Sequence, residues 1–453
     1  MARGALSKLA SSRLPSRQVA AYALPEVAIA CVVFPSYAIL PGFYAQHTEI
    51  SVATIGTILI LARIVDAVTD PVVGFLSDGM TSKWGSRKPW IVAGTLVLMV
   101  SVVMLYAPAP TVGPAYYLAW FVLFYLGYTL ILIPHKAWGT DLARDYVDRS
   151  RIATSLAVAF SIGNLAFAAA PFLADTGTRT YDAETLSAVA WAIALSLPVL
   201  VVIALTVVPE GRPAPRPRVS FLDMLRSAAQ NGPLLSFLSI FILTGFGQGI
   251  FFGLVFLYVN SVAGLGAEFA WFLLADAMVT LISVPIWYWM IRAIQKHRAW
   301  ALGLIISAVA LAGMWWVPSG EDGFVAFLLL ICLRAFGAGV IFVAPTALMG
   351  DVVDFELFKR KVNRAANFHA LTALATKATA TIGGGAGLLI IGFAGFDAKV
   401  ANSSGVTAVF KLVTLVAPAL VLICAAVVAL SFPLDRARHN AIRVRIERRL
   451  RDE

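Results

Sequence analysis

The chain has 453 residues, 60% of them hydrophobic and 13% charged, with a formal net charge of +10. Soluble domains carry about 25% charged residues, so the composition excludes an ordinary soluble enzyme or binding module and gives a polytopic membrane protein. The three cysteines, Cys31, Cys332 and Cys424, lie in apolar runs with neither disulfide nor metal-ligand spacing, and no cofactor is expected.

A membrane span needs about 20 apolar residues. The chain reads as twelve spans, at 20–46, 51–78, 89–109, 114–141, 150–174, 185–208, 232–261, 266–293, 298–318, 323–350, 365–396 and 403–432. A polar, basic N-terminus leads straight into the first span with no cleavable-signal pattern. That span contains Pro25, Pro35 and Pro41, which points to bending or gating rather than rigid packing. Alternate gaps are basic: Arg3 to Arg17, Lys83 to Lys88, Arg144 to Arg151, Arg212 to Arg226, Arg292 to Arg298, Lys359 to Arg364 and the tail from Arg436. The opposite gaps hold Arg179 and Lys399. Positive charge marks cytoplasmic loops, so both termini are expected in the cytoplasm, in a bacterial-type inner membrane, with an even number of spans. The charge therefore belongs to membrane topology, and nucleic acid is not an expected partner. The tail has two readings, a helix lying on anionic lipid and a solvated segment.

The second span carries Arg63, Asp66 and Asp70. An ionisable group at membrane depth costs at least about 2.5 kcal/mol, so three in one helix need a purpose. At about 100° per residue they share one narrow face, which must look into protein or water. Pro71 follows and leaves the Ala67 carbonyl without its helical donor. Two carboxylates and a carbonyl are hard oxygen ligands suited to Na⁺, Li⁺ or H⁺. The alternative is a buried salt bridge of Arg63 with one aspartate, which leaves the other unexplained.

Residues 209–231, EGRPAPRPRVSFLDMLRSAAQNG, form the longest polar interruption, read as a cytoplasmic linker. They separate an N-terminal six-helix bundle (1–208) from a C-terminal one (232–432), with a basic tail at 433–453. Weak self-similarity at an offset of about 210 joins the halves: Pro134, Asp141 and Arg149 echo Pro345, Asp351 and Arg360, and Asp66-Ala67 echoes Asp276-Ala277. Two parallel six-span halves are the mark of the all-α integral membrane major facilitator fold, in which the substrate site is expected near the midplane between them.

The run R-x-x-D-A-x-x-D-P, followed by S-K-W-G-S-R-K-P-W around Trp84, Gly85, Arg87 and Pro89–Trp90, resembles the second helix and following loop of the glycoside–pentoside–hexuronide:cation symporters, the melibiose-permease group of the major facilitator superfamily. The resemblance implies that Asp66 and Asp70 belong to a coupling-cation site and that the coupling ion is Na⁺ or H⁺. The stretch GYTLILIPHKAWGTDLARDYVDRSR resembles the family's fourth helix and places Thr129 as a cation-site hydroxyl. Lys377 resembles a family lysine facing the cation and substrate sites, and with Arg63 it would supply counter-charge. The family's sugar-gripping aspartates on the first and fourth helices align with Ala30 and Leu132, a departure that leaves a galactoside-like substrate unsupported.

Other candidates are less specific. Lys136 reads as a snorkelling lysine or a substrate contact, and Tyr128 as part of a substrate platform or as packing. Asp141, Arg149, Asp351 and Arg364 sit in charged cytoplasmic ends and read as gate ion pairs, their alternative being solvated loop charge. Asp276 and Arg334 both lie in apolar runs, unplaced against each other. The expected function is cation-coupled symport of a small organic solute, such as a sugar or glycoside, by a monomer in the bilayer. The alternatives are a lysophospholipid or amphiphile carrier of the same family and, from another class, an integral-membrane enzyme. The scattered histidines show no metal or nucleophile–base pattern for an enzyme.

Overall fold

The structure, a computed structural model, describes residues 14–80, 82–143, 146–174, 180–211, 226, 228–360 and 364–452. Among these, twelve helical segments are long and apolar enough to cross a bilayer, and no strand occurs. Both match the sequence expectation.

The first span is divided. Helix α1 (Ser16–Ala38) ends where Pro41 removes a donor, and α2 (Leu40–His47) follows after one residue. Then come α3 (Val52–Gly79), α4 (Lys88–Tyr106), α5 (Pro114–Leu142), α6 (Tyr146–Leu173) and α7 (Ala183–Val207). Asp182 caps α7 by accepting from the Thr185 amide at 2.8 Å. In the second half, α8 (Gly232–Tyr258) is capped by Asn231 through the Leu234 amide at 2.9 Å. It is followed by α9 (Phe269–Ile294) and α10 (Lys296–Gly313).

The expected span at 323–350 is broken into α11 (Phe324–Ala338), a 3-10 turn at Gly339–Phe342, and α12 (Ala344–Arg360). Pro345, just inside α12, cannot supply an amide to the turn before it. Last come α13 (Ala365–Phe393), α14 (Ser404–Lys411), α15 (Ala417–Leu430) and the tail helix α16 (Arg436–Asp452). The tail is helical over Arg436–Asp452. Most of the linker expected at 209–231, residues 212–225 and 227, lies outside the described residues.

The chain forms two compact units, one of residues 1–36, 47–50 and 61–216, the other of 37–46, 51–60 and 217–453. The sequence division assigned 37–46 and 51–60 to the first half; in the structure they pack within the second unit. Gly56 explains part of the difference. A Cβ there would collide with the backbone of Gly385 and Leu389 on α13, so two glycines permit helix contact at backbone distance.

Candidate functional site

The three charges on α3 lie on the side of the helix away from its exposed stripe. That stripe is apolar: Leu61, Ile64, Val68, Val72 and Phe75. Arg63 is 9% exposed and Asp66 3%, and buried charges persist only when paired or ligated. One oxygen of Asp66, Oδ2, takes the guanidinium of Arg63. That guanidinium also lies over the Tyr125 ring, 4.9 Å from its centroid. The other oxygen, Oδ1, is 2.9 Å from the Thr129 hydroxyl on α5, and Asp70 Oδ1 is 2.8 Å from the same hydroxyl.

Three oxygens thus converge from two helices. A threonine hydroxyl has one proton, so it donates to one carboxylate at a time. The second short oxygen–oxygen approach therefore draws on the positive charge gathered around the two carboxylates, the Arg63 guanidinium first. The Arg63–Asp66 salt bridge does not exhaust the cluster, because each oxygen of Asp66 serves a different partner. The role of Tyr125 has no distinct signal in the sequence, where it is one more aromatic in an apolar helix. Tyr128 packs edge-on to it at 6.4 Å.

Lys136 is exposed and acts electrostatically on Glu26 of α1. Its neighbour His135 is structural: it stacks on Tyr22 at 4.1 Å, and the two residues exchange hydrogen bonds with each other's backbone carbonyls. Ala30 and Leu132 are both buried apolar residues, so neither position offers a polar grip. The side chain of Lys377 lies outside the described residues.

Three of the charges read as gate residues, Asp141, Asp351 and Arg364, pair within their own units. Asp141 meets Arg87 at 3.6 Å, with both side chains buried, while Arg149 is exposed. Arg87 opens α4 and Asp141 closes α5, two antiparallel neighbours, whereas Arg149 has turned out on α6. The second half repeats this geometry: Lys296, opening α10, meets Asp351 of α12 at 2.6 Å. The internal offset of about 210 thus appears as the same ion pair made twice. Arg364 pairs instead with Glu356 at 3.4 Å. His439 of the tail helix reaches Asp354 at 3.0 Å and Asp351 at 3.3 Å.

Removing one partner of a buried pair leaves an uncompensated charge. Asp141→Asn or Arg87→Gln should therefore shift the inward–outward equilibrium by roughly 1–3 kcal/mol, and Arg149→Ala should leave it unchanged. Thiol accessibility of single-cysteine reporters on each face measures the shift; equal shifts in all three variants would make Arg149 part of the pair after all.

Asp276 of α9 and Arg334 of α11, unplaced in the sequence, form an ion pair inside the second unit.

The chain matches the family described as MFS/sugar transport protein over residues 21–436. It is 23% identical to the glucuronide carrier protein homolog of Escherichia coli (strain K12), covering 97% of each chain. It is 22% identical to the sodium-dependent lysophosphatidylcholine symporter 1-A of Danio rerio, over 91% of this chain and 85% of that one. Among solved structures, the nucleoside transporter NupG superposes with a TM-score of 0.62 at 13% identity, over 92% of this chain and 97% of that one. A bacterial homologue of the human lysosomal transporter Spinster, inward-facing and unoccupied, gives 0.63 at 14% identity, over 93% and 98%.

Proposed function

The chain belongs to the MFS/sugar transport protein family, and from that premise we propose that it is a secondary active symporter using Asp66, Asp70 and Thr129 to bind the coupling cation. The observation that carries this is the single Thr129 hydroxyl held 2.8 and 2.9 Å from two carboxylates, a cluster of hard oxygen ligands of the kind that suits a proton or a small cation. Arg63 supplies counter-charge, and loading the site changes the charge balance of α3. A transported Na⁺ or H⁺ is then cargo, moved with a small organic solute by alternating access. Curated relatives named as symporters, sodium-dependent ones among them, support this reading.

Two cargo classes are in play. A sugar or glycoside is the leading one. A lysophospholipid or other amphiphile is the second, favoured by the apolar Ala30 and Leu132. Uptake into right-side-out vesicles under imposed Na⁺ or H⁺ gradients, across glycosides and lysophospholipids, tests both. Gradient-dependent accumulation of one class is expected, and gradient-independent equilibration of every solute would overturn symport.

The same reading has it act in a bacterial-type inner membrane as a monomer, with both termini in the cytoplasm, as the basic alternate loops support. The exposed Trp84 loop, at residues 83–88, should then resist membrane-impermeant thiol reagents applied from outside when Lys83→Cys is introduced. Efficient labelling from outside would reverse the topology.

A further inference from the structure

We propose that Asp276, Arg334 and Gln248 form a solute-binding site for the hydroxyl groups of a neutral polyol or pyranoside. The proposal rests on the symport reading above and names its cargo. On α9 the exposed side chains Trp271, Met278, Leu281, Ile282 and Trp289 form one apolar stripe. Asp276 sits roughly 150° round the helix from it, at about 100° per residue. Its repeat mate Asp66 has the same angular relation to the apolar stripe of α3. The 15% of the Asp276 side chain that is exposed therefore faces away from the side that suits lipid.

Arg334 is 1% exposed. Its Nη2 donates to Asp276 Oδ1 and its Nη1 to Gln248 Oε1 at 2.9 Å. Its centre lies 5.0 and 4.9 Å from the Phe251 and Phe252 ring centroids, which limits approach across the guanidinium faces. The remaining hydrogen-bonding capacity is at the edges. Arg334 Nε is buried with no partner. Asp276 Oδ2 and the Gln248 amide nitrogen, among the described residues, make no hydrogen bond, and neither is closed off. One open acceptor and one open donor, with the buried Nε behind them, thus flank a single ion pair at membrane depth, where unmet polar groups are costly.

The charge decides the class. Asp276 already neutralises Arg334, so an arriving carboxylate or phosphate finds no net positive field and an adjacent anion. A hydroxyl both donates and accepts, and two vicinal hydroxyls fit one edge holding the Oδ2 acceptor and the Gln248 amide donor. In the first half, the equivalent aspartate divides its oxygens between the Arg63 guanidinium and the Thr129 hydroxyl. In the second, Asp276 takes the Arg334 guanidinium through Oδ1 alone, which leaves Oδ2 for solute.

The test uses the purified full-length protein in nanodiscs with three probes: methyl β-D-glucopyranoside, methyl β-D-glucuronide and lysophosphatidylcholine. The neutral pyranoside should bind wild type best. Gln248→Ala, which keeps the ion pair, should weaken that binding about tenfold, the size of one lost hydrogen bond at the upper end of its range. The paired variant Asp276→Asn/Arg334→Gln, neutral and so free of an orphan charge, should abolish it. Na⁺ binding should be unchanged in Gln248→Ala. Equal pyranoside affinity in wild type and both variants overturns the proposal. Preference for the glucuronide or the lysophospholipid overturns it, and so does absence of binding by all three. If the Gln248 effect is present but no Na⁺ or H⁺ dependence is found, the coupling reading fails and the solute site stands.

Discussion

Asp66→Asn and Asp70→Asn should each abolish gradient-driven accumulation while leaving solute exchange down its gradient. Asparagine keeps the size and one carbonyl oxygen but removes a formal charge. Interactions with charged groups are worth about 1.5–3 kcal/mol, so cation binding should weaken by roughly 10–100-fold. Asp66→Asn also releases Arg63, whose guanidinium keeps the Tyr125 ring as a partner; its effect should be the larger. Thr129→Val, which removes the bridging hydroxyl, should fall in the same direction with a smaller loss. Counterflow and Na⁺-dependent binding on reconstituted protein separate the outcomes. A purely structural pair would lower yield and impair accumulation and exchange alike. Normal accumulation in both Asn variants would remove the cation from this face.

The second large effect is on folding. Helices α8 and α13 touch through backbone: a Cβ on Gly249 would overlap the Ala380 carbonyl, and one on Gly253 would press on Gly384. A peptide carbonyl cannot rotate aside as a side chain does. Overpacking usually costs about 1–3 kcal/mol and sometimes more, and Gly249→Val should exceed the usual range. The expected result is little recoverable protein or a strongly lowered unfolding temperature, with Gly249→Ala intermediate. Gly350→Ala is the control, since nothing lies near its added carbon. Equal stability of the Gly249 and Gly350 variants would show that α13 moves aside freely.

The span count was legible because bilayer thickness imposes one length and leaves few alternatives. The meeting of α3 with Thr129 was legible only in part. Charge periodicity put Arg63, Asp66 and Asp70 on one face, and the family resemblance pointed to Thr129; no spacing rule reaches across 59 residues from Asp70 to Thr129. Arg149, grouped with Asp141 as gate charge in the sequence, is exposed on α6. Arg87, 54 positions away from Asp141 by number, is brought to that aspartate by antiparallel packing of α4 and α5. Asp276 and Arg334 are conspicuous as charges in apolar runs, but their pairing depends on the separation of α9 and α11, which hydropathy does not encode. Gln248 gives no signal, since a neutral amide barely perturbs a hydropathy profile.

On the proposed reading, the pairing of Arg334 with Asp276 has an electrical consequence. With only the α3 carboxylates exchanging a monovalent cation, and with a neutral solute, each turnover carries one positive charge across the bilayer. Membrane voltage then becomes a source of work, at about 2.3 kcal/mol per charge per 100 mV, or roughly a 50-fold accumulation. Proteoliposomes polarised by a potassium diffusion potential, with equal Na⁺ and pH on both sides, should therefore concentrate solute and pass a measurable current. The direction of that current follows the imposed potential for Na⁺ and H⁺ alike, and its size per mole of solute counts the ions moved in each cycle.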